Sequence, residues 1–184
     1  FSNSFFTDFG TLKSISSYFA YVSNSPTGLT ISSMPSLPID LGGSSDSSMV
    51  VTYDGLMDGL QLGYGLGEDS VDLDLETVFV KYTVGGITAA FQRSELDGAG
   101  SSSDEDSDAL GVSFAINENL SVSYGTHDVD FGAANKADEE SSGVSASYTM
   151  GSMTITGISN STDNVAGSDA SNDAYREVTI AFAF

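Results

Sequence analysis

From Met49 to the end of the chain, apolar side chains recur at every second position. Val78, Val80, Tyr82 and Val84 form one such run, Leu110, Val112, Phe114 and Ile116 another, and Val144, Ala146, Tyr148 and Met150 a third. A two-residue period is the signature of strands with one apolar face, and no helical 3.6-residue pattern of comparable length competes with it. About nine such runs follow one another from Ser48, closing on Val178, Ile180, Phe182 and Phe184. The chain is therefore all-β. The intervening residues constrain it further. A water-soluble meander wets its second face with charged side chains, yet here that face is built from Ser, Thr, Gly and Ala, as in Ser113, Ser123, Ser145 and Ser147. Most carboxylates lie between the runs.

Those connections alternate in length. Short ones cover residues 54–58, 85–86, 117–119 and 151; they are rich in Gly, Asn and Asp, which hairpin turns require. Long ones cover about residues 67–75, 96–108, 129–141 and 161–173 and consist of Ser, Asp, Glu, Gly and Asn. The stretch 101–108, Ser-Ser-Ser-Asp-Glu-Asp-Ser-Asp, reads by itself as disordered. Each long loop falls two strands after the last, so all of them gather at one end of an up-and-down sheet. With 184 residues there is room for one domain. The 5 Lys and Arg against 26 Asp and Glu leave a net charge of −21, which excludes nucleic acid as a partner. Cysteine is absent and there is one histidine, so neither a disulfide framework nor a multi-histidine metal centre can form. No run approaches the roughly 18 apolar residues of a membrane helix. Outward apolar alternation, short turns at one end and long polar loops at the other match a transmembrane antiparallel β-barrel. A soluble β-sandwich and a secreted acidic β-solenoid are the alternatives.

The chain ends Val178-Thr179-Ile180-Ala181-Phe182-Ala183-Phe184. This resembles the last strand of bacterial outer-membrane proteins, in which the terminal Phe, here Phe184, is part of the insertion signal. Residues 148–155 followed by Asn160-Ser161-Thr162-Asp163-Asn164 look like the penultimate hairpin and last loop of the general diffusion porins of α-proteobacteria. Residues 16–21, a Ser/Gly/Pro loop and Ser48-Met49-Val50-Val51-Thr52-Tyr53 are similar to the end of the constriction loop and the next strand in that family. The resemblance implies a 16-stranded barrel of which this chain supplies about 9–10 strands, because bacterial single-chain barrels have an even number. Residues 1–47 correspond to a constriction-loop-like segment with one strand, and residues 48–184 to the C-terminal barrel strands. The chain is expected to be the C-terminal part of a longer barrel; the alternative makes residues 11–22 the tenth strand of a small complete one.

The function so implied is passive diffusion of small hydrophilic solutes and ions through a cation-preferring channel in the bacterial outer membrane, with lipid and lipopolysaccharide around it and a homotrimer as the assembly. Small outward residues around Ala146 and Gly157 would admit close packing between copies. The rival is a non-conducting outer-membrane barrel acting as an adhesin or surface-layer anchor through its acidic loops. A constriction needs opposed charges across the lumen. Alternation puts Lys81, His127, Glu177 and Asp54 on the inward side, and Asp40 or Asp46 is the expected partner of Lys81. Arg93 and Arg176 fall on the outward side near loop ends, where they could reach lipopolysaccharide phosphates. The carboxylates Asp104, Glu105, Asp106 and Asp108 are candidate Ca²⁺ ligands; no other cofactor is expected. The aromatics Phe19, Tyr21, Tyr53, Tyr64, Tyr82, Tyr124, Tyr148, Phe182 and Phe184 read as girdle residues, and Phe79 is the one aromatic clearly directed inward. No enzyme is expected, since His127 beside Asp128 is the sole histidine base and no G-x-S-x-G elbow exists.

Overall fold

The structure, a computed structural model, describes residues 29–34, 47–69 and 73–183. Alternation converts into a single antiparallel sheet whose strands pair in chain order: β1 (Leu29–Met34), β2 (Ser47–Tyr53), β3 (Leu60–Asp69), β4 (Leu73–Val84), β5 (Ile87–Asp97), β6 (Glu105–Ala115), β7 (Leu120–Phe131), β8 (Glu139–Met150), β9 (Met153–Asp163) and β10 (Asp173–Phe182). One 3₁₀ turn, Val165–Gly167, interrupts the last connection. The sheet is up-and-down and is not closed: β1 and β10 are its edges. The strand at Leu29–Met34 lies in the segment read from sequence as a constriction loop. Its register is Leu29 with Tyr53 and Ile31 with Val51; the short Leu29, Ile31 alternation was the only signal for it. Residues 11–22 lie outside the described residues.

Turn chemistry explains the short end. The two-residue connections Gly85-Gly86 and Gly151-Ser152 open on glycines at φ 57° and 61°, the left-handed backbone that twisted hairpins need and that glycine adopts without a Cβ clash. After β6, the Asn117 Oδ1 accepts from the Asn119 and Leu120 N–H groups at 2.9 and 3.0 Å and closes the turn.

The long end differs from expectation. Strands run well into the acidic segments, so the connections shrink to residues 98–104, 132–138 and 164–172. Glu105 to Asp108, part of the stretch that reads as disordered, is strand: it pairs with Leu96 to Arg93 on one side and Phe131 to Asp128 on the other. Two neighbouring ladders supply the backbone hydrogen bonds that local composition could not, and Arg93 supplies countercharge. The loops are also tied to one another. The Gly132 N–H donates to the Asp104 carbonyl at 2.8 Å, Asn164 Nδ2 to the Asp138 carbonyl at 3.0 Å, and the Ala137 N–H to the Gly167 carbonyl at 3.1 Å.

Burial is inverted with respect to a soluble domain. The apolar side chains buried among the described residues are Leu75, Ala90 and Val129; buried beside them are Thr77, Ser94, Ser107, Glu139 and Ser141. All of these belong to the small, polar face, which is the inner one. The large outward side chains are exposed, including Val80, Phe91, Val112, Tyr124, Tyr148 and Ile180. Outward aromatics gather toward the short turns. Tyr53, Tyr82, Phe114, Tyr148 and Phe182 lie toward the short turns, one on each strand that runs that way; Tyr64, Phe91 and Tyr124 lie near mid-strand.

The apolar band is not parallel to the hydrogen-bond ladder. Leu60, Tyr82, Ala89, Val112, Tyr124, Val144, Ser159 and Arg176 are successive Cα partners. At β3 this row lies well short of the last outward apolar residue, Leu66; at β10 it has already passed the last, Val178. The drift is roughly eight residues over seven strand spacings. At about 3.3 Å per residue and about 4.8 Å per strand, the band crosses the ladder at about 38°.

Candidate functional site: the inner wall and the outward belt

The inner face is a wall of hydroxyls joined across strands. Ser123 meets Ser145 at 2.6 Å, Ser141 meets Thr162 at 2.9 Å, Thr149 meets Thr154 at 3.1 Å and Ser147 meets Thr156 at 3.2 Å; Thr77 and Ser94 are likewise paired. Each hydroxyl can donate once and accept twice, so every pair keeps capacity for water. Phe79 lies on this face over Gly63, its direct cross-strand partner. A Cβ on Gly63 would fall 1.9 Å from the Phe79 ring, which is the physical reason for a glycine there.

The inward charges are dispersed. Lys81 on β4, His127 on β7 and Glu177 on β10 occupy the inner face on separate strands, and Asp54 begins the turn after β2. Lys81 has Gln61 and Ala90 as ladder partners and no ion pair among the described residues. The row beyond it continues through Gly111, Gly125 and Gly143, so Lys81 stands beside a stretch of bare wall. His127 Nδ1 is buried without a partner among the described residues. Glu177 accepts from the Thr179 hydroxyl. The expected partners of Lys81, Asp40 and Asp46, lie outside the described residues, as does Phe184.

The acidic loop residues do not converge on one point. Asp104 Oδ1 is held by the Gly98 N–H at 3.0 Å, Glu105 belongs to the inner face, and Asp106 and Asp108 to the outward one. No group of three or more His, Cys, Asp or Glu is placed to hold a metal ion among the described residues. Glu139, buried at the loop end of β8, accepts from the Ala166 N–H at 2.6 Å and fastens the last loop to the wall. Lys136 lies 4.0 Å from the centre of the Phe131 ring, a cation–π contact. From sequence Glu139 reads, with Asp138 and Glu140, as part of a cation-concentrating acidic rim and Lys136 has no role; neither contact was legible, because both depend on loop geometry that periodicity does not encode.

On the outward face, the first polar side chain beyond the apolar band is Glu68 on β3, Glu76 on β4, Arg93 on β5 and Asp108 on β6, then Thr126, Ser142, Ser159 and Arg176 on β7 to β10. Arg93 is occupied: its Nε is 3.0 Å from Glu95 Oε1, its Nη1 3.7 Å from Asp108 and its Nη2 3.8 Å from Asp106. It is the cation of a carboxylate cluster on its own chain, which the sequence left open. Arg176 makes no ion pair among the described residues. No family model and no curated protein matches the chain.

Proposed function

We propose that this chain forms strands of an outer-membrane β-barrel of the general diffusion porin type, which passes small hydrophilic solutes and ions down their gradients with a preference for cations. The observation that carries the reading is the inverted face distribution: apolar side chains outward, paired hydroxyls inward. In water, that outward surface would be an exposed patch far larger than soluble monomers tolerate; in hydrocarbon it needs no cover. Two further features support it. Aromatics gathered toward the short turns, one on each strand that runs that way, correspond to one interfacial girdle of such barrels, and a slant of about 38° lies within the strand tilt of about 35–45° that a bilayer slab imposes on them. Hydroxyls, Phe79, Lys81 and His127 would line the lumen, and the carboxylate rim would concentrate cations at the loop end. On the family resemblance, the 16-stranded closed barrel, the bacterial outer membrane and the homotrimer belong to the same proposal.

The test is conductance of the detergent-extracted protein in a planar bilayer under a salt gradient. Discrete steps with a cation-selective reversal potential are expected, and Lys81→Glu should shift that potential further toward cation selectivity. Stable insertion without conductance would overturn the channel and leave a barrel that works through its loops. Failure to insert would overturn the membrane reading.

A further inference from the structure

The outward face carries a groove of about 770 Å³ running across β6 to β10. Its floor is Ala146 and Gly157, direct cross-strand partners, where side chains are too small to reach the level of their neighbours. Phe114 and Tyr124 rise on one side and Val178 on the other, and Arg176 marks its loop-ward limit on β10. A Cβ added at Gly157 would meet nothing within 4 Å, so the groove is open space and not a tight contact.

Charge decides what fits it. The protein carries −21, and from β3 to β6 the residues bordering the apolar band are carboxylates or, at Arg93, a cation already held by three of them. An anion approaching the band there is repelled. From β7 to β9 the bordering residues are the uncharged Thr126, Ser142 and Ser159, and on β10 the border is Arg176. Here the outward carboxylates Asp128, Glu140 and Asp163 are set back toward the loops. An apolar groove ending at a guanidinium that makes no ion pair among the described residues, with its neighbour Glu177 on the inner-face parity, is complementary to an apolar tail with an anionic head.

We propose that this groove holds an acyl chain of an anionic phospholipid whose phosphate is bound by Arg176, so that the protein keeps one lipid at a fixed position on an otherwise anion-repelling perimeter. The site rests on the membrane-spanning reading above. A second copy of the chain is the less suitable occupant, because two chains of net charge −21 would bring their carboxylates toward one another. Arg suits the role, since its planar fork binds two phosphate oxygens at once.

The test is native mass spectrometry of the detergent-extracted protein titrated with phosphatidylglycerol and with phosphatidylcholine of identical acyl chains. Phosphatidylglycerol should bind about fivefold tighter, the size expected for one basic residue near a lipid headgroup. Arg176→Gln should remove that preference, and Gly157→Leu, which fills the groove, should weaken both lipids. Equal affinity of the two lipids, or a preference that survives Arg176→Gln, would overturn the lipid site. So would Gly157→Leu that splits an oligomer while lipid binding persists, which would assign the groove to a second copy. Conductance in a pure phosphatidylcholine bilayer separates the two claims. A protein that conducts there without lipid preference loses the site alone; one that inserts in no bilayer loses both.

Discussion

Because the apolar band crosses the ladder obliquely, a single row of hydrogen-bonded neighbours samples much of the depth of the proposed slab. Leu60, Ala89, Val112 and Val144 occupy one such row. Each step to the next strand changes depth by about 3 Å at the observed slant and a strand spacing of about 4.8 Å. From Leu60 to Val144, five strands away, the difference is about 15 Å. Leu60 then lies near the interface at the short turns, Val144 near the one at the loops, and Ala89 and Val112 close to the midplane. Arginine at the midplane of a lipid-facing barrel position costs about 2–4 kcal/mol, falling to about 0–1 near the interfaces. Arginine scanning along this row should therefore give a peaked profile. Ala89→Arg and Val112→Arg should lose about 2–4 kcal/mol, and Leu60→Arg and Val144→Arg about 1 kcal/mol or less. The assay is reversible chaotrope unfolding in phospholipid vesicles. As a control, Ser113→Arg, one residue from Val112 but on the inner face, should change stability little. In a water-soluble sheet these outward positions would be ordinary surface, where substitutions stay within about 0.5 kcal/mol. A flat profile, or one highest at Leu60 or Val144, would refute the reasoning.

Further outcomes are expected from the inner face and the belt. Gly63→Val should displace Phe79 at a cost of about 1–3 kcal/mol, and adding Phe79→Ala should recover much of it; a double-mutant cycle without coupling would refute the contact. Arg93→Gln should destabilise only slightly, because its carboxylate partners are about half exposed, and the loss should vanish in high salt when unfolding is repeated there. Glu139→Ala frees the Ala166 N–H and should speed hydrogen exchange across residues 164–172 while leaving β4 and β5 protected.

Most of the sheet was legible in the sequence because its period of two is a direct image of strand geometry. Val78 to Val84 or Val144 to Met150 need no partner to declare a face. What escaped depends on residues distant in the chain. Glu105 to Asp108 is so acidic that composition favours a loop, and only its pairing with Arg93 and Leu96 on one flank and Asp128 to Phe131 on the other makes it a strand. The parity of Arg93 was readable, but its carboxylate partners follow from register, which periodicity alone leaves undetermined by whole pairs of residues. Phe79 could be placed inward from sequence; its seat on Gly63 could not. The same holds for the groove. Ala146 and Gly157 are small in the sequence, but only the register makes them neighbours and sets Arg176 at the end of the depression.

The hydroxyl pairs of the inner face have a kinetic consequence. Ser123 with Ser145, Ser141 with Thr162 and Thr149 with Thr154 each use one hydrogen bond on one another, so the wall offers fewer free donors than its count of Ser and Thr implies. In the proposed channel, a small polar solute moving along the wall would meet many equivalent, weak resting places and no deep one. A wall of this kind lets polar molecules slide with low friction, and it would sort them by size and charge at a narrow point and not by how firmly they adhere along the way.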